Sequence, residues 1–181
     1  MFRKEKLVFD QVTTRGGDRG DSFIYSGEKK IKSDLVFEVL GDLDELNSYL
    51  GIVRNLDLRH DHIPKIQEKI LNLSSQIATT PCSEHYKAIK KISEQDVSRI
   101  ESWQKGLMSM VEILPKFILP GEKNLKSAHI DFSRTLCRRS ERHLVGLIRE
   151  QSRKDLYPCQ IYLNRLSDYL FILARYEENF N

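Results

Sequence analysis

The sequence predicts an all-α fold: an antiparallel bundle of five helices behind a glycine-rich N-terminal loop. Three observations predict it. Apolar residues recur at three- and four-residue steps through most of the chain after residue 33. Cap-forming residues and prolines divide that pattern into five stretches joined by short connections. Four of the nine glycines, Gly16, Gly17, Gly20 and Gly27, crowd into the segment before it. Residues 1–33 are therefore expected to be a loop segment and residues 34–181 the helical bundle, together one domain.

The first helix follows Ser33-Asp34, a cap-like pair, and carries Val36, Val39, Leu40, Leu43, Leu46, Leu50 and Val53 on its apolar stripe. Asp61 to Pro64 starts the second, which carries Ile66, Ile70, Leu73 and Ile77 and ends at Thr79-Thr80-Pro81. The third runs from about Ser93 to Val111 and opens on the acidic turn Ser93-Glu94-Gln95-Asp96. Leu114-Pro115 to Pro120-Gly121 is a break. The fourth helix covers Leu125 to Ser152. The fifth covers Leu156 to Tyr176, with Tyr162, Leu166, Tyr169, Leu173 and Tyr176 on one stripe. At most one short strand is expected, near the start.

Composition narrows the function classes. The net charge of +3, from 29 basic and 26 acidic side chains, is too even to argue for nucleic acid. No run of about 18 apolar residues exists, so no membrane span is expected, and the first residues lack the apolar core of a signal peptide. Cys82, Cys137 and Cys159 form no CxxC or zinc pattern and read as reduced thiols. His60, His62, His85, His129 and His143 show no ligand spacing, and no patterned nucleophile–base pair occurs. An enzyme here would work by positioning and electrostatics.

Four segments could do that work. In Thr14-Arg15-Gly16-Gly17-Asp18-Arg19-Gly20-Asp21-Ser22, clustered glycines let backbone N–H groups converge on an anion, with two arginines adding charge. The same segment also fits a solvated loop, and Lys29, Lys30 and Lys32 fit either surface charge or phosphate partners. In the first helix, Asp44 and Asn47 share a face, and Asp44 borders the apolar stripe, where a carboxylate needs a cation. In the fourth, Arg134, Arg138 and Arg142 recur at steps of four, with Glu141 beside them. Such a ridge is either a solvated charged face or a polyphosphate groove. In the fifth, Asn164, Asp168, Phe171 and Arg175 share a face, a stripe that would close a site if it met the arginines.

Taken in order, these segments resemble the ATP:cob(I)alamin adenosyltransferases of the PduO type, which include the mitochondrial enzyme of methylmalonic acid metabolism. The resemblance rests on Thr14-Arg15-Gly16-Gly17-Asp18-Arg19-Gly20, Asp44-Glu45-Leu46-Asn47 and Phe117-Ile118-Leu119-Pro120-Gly121, followed by Ser133-Arg134-Thr135-Leu136-Cys137-Arg138-Arg139-Ser140-Glu141-Arg142 and Asn164-Arg165-Leu166-Ser167-Asp168. It implies a five-helix bundle and a homotrimer with ATP between neighbouring subunits. Thr14, Arg15, Gly17, Asp18, Gly20, Ser22 and Lys32 would line ATP, and Arg134, Arg138, Glu141 and Asn164 would complete the pocket. Asp44 would pair with Arg134 across the subunit boundary, so Arg134, Arg138 and Asp44 carry the catalytic role. Phe117 would lie against the corrinoid and help remove its lower axial ligand. The implied reaction is attack of Co(I) on the ribose 5′ carbon of ATP, giving adenosylcobalamin and triphosphate, with Mg²⁺ accompanying the nucleotide.

The resemblance implies reduced cobalamin and ATP as partners, with product hand-off to a B12-dependent enzyme left open. It implies a cytoplasmic location, or the mitochondrial matrix in a eukaryote. The sequence departs from the family pattern at Gly16, where a hydroxyl residue is frequent, at Asp21, where Thr is common, and at Glu122, which replaces a second glycine. The stretch from there to Arg134 is a residue longer. Asp21 brings a negative charge near the expected triphosphate and offers itself to Mg²⁺. The rival reading is a non-catalytic corrinoid- or nucleotide-binding helical module.

Overall fold

A computed structural model describes residues 6–58 and 62–179. Among them, five helices of 15 residues or more carry the fold: α2 (Leu35–Arg54), α3 (Ile63–Ile77), α5 (Glu94–Met108), α6 (Leu125–Gln151) and α7 (Tyr157–Glu177). Two single turns, α1 (Phe9–Val12) and α4 (His85–Ala88), and a 3₁₀ turn at Lys154–Leu156 complete the helical content.

The expectation of an all-α chain needs one correction. Asp21–Phe23 (β1) and Lys29–Ile31 (β2) pair antiparallel, with Ser22 opposite Lys30. Three residue pairs are too few for alternation to stand out in a sequence. Gly27, at φ +88°, turns the hairpin, a backbone conformation that costs glycine little. Ile24 is buried, and Ser26 is bonded to Ala78 and Thr80, so the hairpin is docked beyond the end of α3.

The helix starts follow the predicted capping chemistry. Asp34 accepts from the Val36 N–H at 2.9 Å, Ser93 and Asp96 cap α5 reciprocally, and Asn124 accepts from the Ser127 N–H at 2.8 Å. Helix α3 carries Pro64 in its first turn, where a missing N–H costs nothing. The proposed start at Asp61, like His60, lies outside the described residues. Helix α5 stops at Met108, short of the expected Val111.

Neighbouring helices pack in the order α3, α2, α6, α7, α5. The predicted stripes form the core: Val36, Val39, Leu43, Leu46, Leu50 and Val53 of α2 and Tyr162, Leu166, Tyr169, Leu173 and Tyr176 of α7 are all buried. Each such side chain contributes roughly 1.5–3 kcal/mol by leaving water. Lys69 of α3 reaches Asp96 at the start of α5 at 2.8 Å.

A buried polar clamp, unsignalled in the sequence, holds the end of α3. Arg153 donates to the carbonyls of Gln76 and Thr79, each at 3.0 Å, which a helix end leaves unpaired. Its charge is met by Asp155, which also accepts from the Tyr86 hydroxyl at 2.8 Å. Burial alone would raise the Asp155 carboxyl, but the bonds from Arg153 and Tyr86 outweigh it and hold it below its ordinary range. Burial and the same carboxylate push the Tyr86 hydroxyl up to about 12. Among the described residues, no helix is long and apolar enough to cross a membrane.

Candidate functional site

The arginine ridge of α6 faces the polar stripe of α7. Arg134 and Arg138 line a hollow of about 200 Å³ with Ser167, Asp168, Phe171 and Ile172. Arg138 also lines a second hollow, of about 290 Å³, with Glu141, Arg142, Val145 and Asn164. One arginine thus stands between two adjoining depressions along the α6–α7 groove. A four-residue step places these side chains on one face of a helix, and the short turn at 152–156 returns α7 alongside.

The groove's polar groups are held in place. Asn164 donates to Glu141 at 3.0 Å across the two helices. Arg134 donates through Nε to Asp131 at 3.1 Å, which leaves the rest of its guanidinium for the groove. Asp131 is buried and also takes a bond from Arg175. Arg175 therefore turns inward to Asp131 and Glu178 rather than joining the groove with its stripe-mates Asn164 and Asp168. Burial raises the Glu178 carboxyl, with Arg175 opposing the rise. Arg138 is exposed and has no ion pair among the described residues.

Phe171 connects this groove to the 109–124 loop. It lines the hollow of Arg134 and Arg138, and also one of about 450 Å³ with Ile113, Leu114, Pro115, Lys116 and Phe117. Phe117 stands fully in solvent, at 107% of its reference exposure, and Leu119 is 69% exposed. Gly121 closes the loop at φ +74°, and a Cβ there would meet Ala128 at 3.0 Å. A polar groove thus opens onto an apolar loop.

The N-terminal segment forms a separate cationic cradle. Thr14, Arg15, Asp18, Gly20 and Lys32 are exposed, with Gly17 and Ser22 half-buried. A Cβ on Gly17 would lie 2.7 Å from the Lys32 ammonium, so a side chain there would push the flexible end of Lys32 aside. Lys29 pairs with Asp21 at 2.8 Å and Lys30 with Asp34 at 3.1 Å, whereas Lys32 has no ion pair among the described residues. Asp21 thus has a cation beside it. Among the described residues, no hydrogen bond or ion pair joins residues 13–22 to α6 or α7. Within one chain, no polar bond among the described residues links the two halves of the expected nucleotide site.

Helix α2 corrects one expectation. Asp44 is exposed and needs no partner within the chain, whereas Asp42 is the buried carboxylate. Asp42 meets Arg139 at 2.9 Å and His143 at 2.6 Å, and Arg139 also pairs with Glu45. Those partners lie about a hundred residues away, so nothing local marked Asp42. Cys137 and Cys159 are buried, with thiols raised by desolvation, Cys159 to about 12, and Cys82 is exposed; all three are free.

The family model for cobalamin adenosyltransferase matches residues 12–177. Corrinoid adenosyltransferase MMAB of Homo sapiens is 37% identical over 174 residues, which cover 92% of this chain and 68% of the relative. A corrinoid adenosyltransferase of Citrobacter freundii is 34% identical over 172 residues, 93% of this chain and 95% of the relative. Among solved structures, a phenylalanine-to-alanine variant of a PduO-type ATP:corrinoid adenosyltransferase from Lactobacillus reuteri, complexed with cobalamin and ATP, superposes with a TM-score of 0.82 at 30% identity, over 93% of each chain. An arginine-to-lysine variant of the enzyme from the same organism, complexed with ATP, gives a TM-score of 0.82 at 32% identity, over 93% of this chain and 94% of that one.

Proposed function

On the premise that this chain belongs to the cobalamin adenosyltransferase family, we propose that its α6–α7 groove holds ATP and its 109–124 loop faces the corrinoid. The protein transfers the 5′-deoxyadenosyl group of ATP to the Co(I) of a reduced corrinoid, giving adenosylcobalamin and triphosphate. The observation that carries the site assignment is the Arg134–Arg138 hollow, which shares Phe171 with the hollow of Phe117.

The chemistry asks little of the protein beyond placement. Co(I) is the nucleophile and forms the Co–C bond as the C5′–O bond breaks, and the electron pair leaves on the triphosphate. Arg134 and Arg138 meet that growing charge from the helices. Arg15 and Lys32 meet it from the N-terminal cradle, with Thr14, Gly17, Asp18, Gly20 and Ser22 lining the nucleotide. Glu141 and Asn164 orient the nucleoside. Phe117, on the apolar loop, lies against the corrinoid and helps displace its lower axial ligand.

A homotrimer would let one copy's cradle cover a neighbour's groove, a use for a cradle that makes no polar bond to the groove of its own chain among the described residues. Exposed Asp44 and the open side of Arg134 support an ion pair across that boundary. The helices are read as an antiparallel five-helix bundle, and residues 1–33 as its nucleotide-binding segment. Mg²⁺ would accompany the triphosphate as its counter-ion. Asp21 would be its candidate protein partner, with exposed Asp18 close by in sequence, and the ion would neutralise phosphate charge. Free thiols support a reducing compartment, cytoplasmic or mitochondrial matrix.

The test is an anaerobic assay with ATP and chemically reduced cobalamin, following the spectrum of adenosylcobalamin. Binding of both ligands without turnover would instead support the non-catalytic module.

A further inference from the structure

Glu141 and Asn164 meet across the groove, but an asparagine side chain has two nearly isosteric ends. If its amide flipped, the carbonyl oxygen would face the Glu141 carboxylate, acceptor against acceptor. The carboxylate alone disfavours that flip, and a second group holds the other end of the amide. Arg165, the next residue, donates through Nη1 to Asn164 Oδ1 at 2.7 Å. A guanidinium has donors only, so it accepts no other end of the amide, and Nδ2 is left to donate to Glu141.

Arg165 is itself tied down from α5. Its Nε donates to Glu101 at 2.8 Å, and its backbone carbonyl accepts from Gln104 at 2.6 Å. The guanidinium therefore uses one nitrogen on α5 and another on the asparagine. It lines neither hollow of the groove. We propose that Arg165 is a positioning residue: held by Glu101, it fixes the Asn164 amide so that the Glu141–Asn164 pair is set before the nucleotide arrives. The inference rests on Asn164 contacting the nucleotide, as argued above.

Binding of ATP alone, in the absence of corrinoid, reads the effect directly by calorimetry on the whole protein. Arg165→Met keeps the apolar stem and deletes the donors. It should weaken ATP binding about tenfold, the cost of leaving the pair free to misorient. Turnover at saturating ATP should change less than about twofold, since no transition-state contact is lost. The deciding experiment is the double variant. If Arg165 acts through the asparagine, Arg165→Met adds less than about twofold to Asn164→Ala. Should Arg165→Met fail to fold, Glu101→Gln loosens the same arginine and should weaken ATP binding about threefold. Additive effects in the double variant, or unchanged ATP binding in either Arg165→Met or Glu101→Gln, would overturn the positioning role. Unchanged ATP binding in Asn164→Ala would instead remove Asn164 from the nucleotide site, and the inference with it.

Discussion

Glu141 on α6 accepts from Asn164 on α7 at 3.0 Å, a side-chain bond between two residues that line the same hollow beside Arg138. It commits the Glu141 carboxylate to α7. Arg138, almost one turn earlier, is left exposed without an ion pair, a cation available to an incoming anion.

Arg138→Ala should therefore abolish adenosyl transfer while the fold survives. An exposed side chain of this kind changes stability by less than about 0.5 kcal/mol. Activity and thermal melting measured on the same preparation check both halves. Near wild-type turnover would return the ridge to a solvated face.

Phe117→Ala should lower turnover at least about tenfold with melting unchanged, because a fully exposed ring adds nothing to the core. ATP binding measured without corrinoid should stay at the wild-type value. A loss confined to stability would contradict the assignment of the loop.

Light scattering at micromolar concentration should report about three times the 21.2 kDa chain mass. Asp44→Arg, which sets like charges face to face across the proposed boundary, should shift the protein toward monomer and lower activity in parallel. A fully active monomer would dismiss the shared site.

Asp155, Asp96 and Asp34 all have carboxyls held below the ordinary range; burial opposes this, and bonds from Arg153 and Tyr86, from Lys69 and Ser93, and from Val36 and Lys30 prevail. A depressed folded-state value contributes stability that is complete above the unfolded value, near pH 4, and is lost as pH falls toward the folded one. Denaturant unfolding should show stability dropping from about pH 5 to pH 3. Asp155→Asn should be less stable at pH 7 but lose less over that interval. An unchanged acid slope would separate Asp155 from acid sensitivity.

Removing residues 1–20 should leave the bundle folded, since no described side chain in that stretch is buried. Circular dichroism should be unchanged apart from the lost residues, while calorimetry should show ATP binding sharply weakened. ATP, but not adenosine, should shield the segment from protease in the full chain. Equal ATP affinity in the shortened protein would make the segment a passive tail.

The helices and the ridge were legible because each is local. Asp34, Ser93 and Asn124 cap within three residues, and Arg134, Arg138 and Arg142 fall on one face by period alone. What escaped depends on distant partners. Asp42, not Asp44, is buried because Arg139 and His143 arrive from α6, and Arg153 is buried because the end of α3 offers it carbonyls. The hairpin escaped because three pairs give no alternation to count. The lack of a polar link between cradle and ridge among the described residues escaped because two motifs in one sequence say nothing about whether one copy joins them.

Phe171 forms a common wall of two hollows, one beside the arginines and one beside Phe117. With nucleotide on one side and corrinoid on the other, neither can shift that ring without the other registering it. Linkage then makes the communication mutual: whatever factor bound ATP imposes on corrinoid affinity, bound corrinoid must impose on ATP affinity. An order of loading, if the protein has one, would thus be a matter of rates and not of affinities alone.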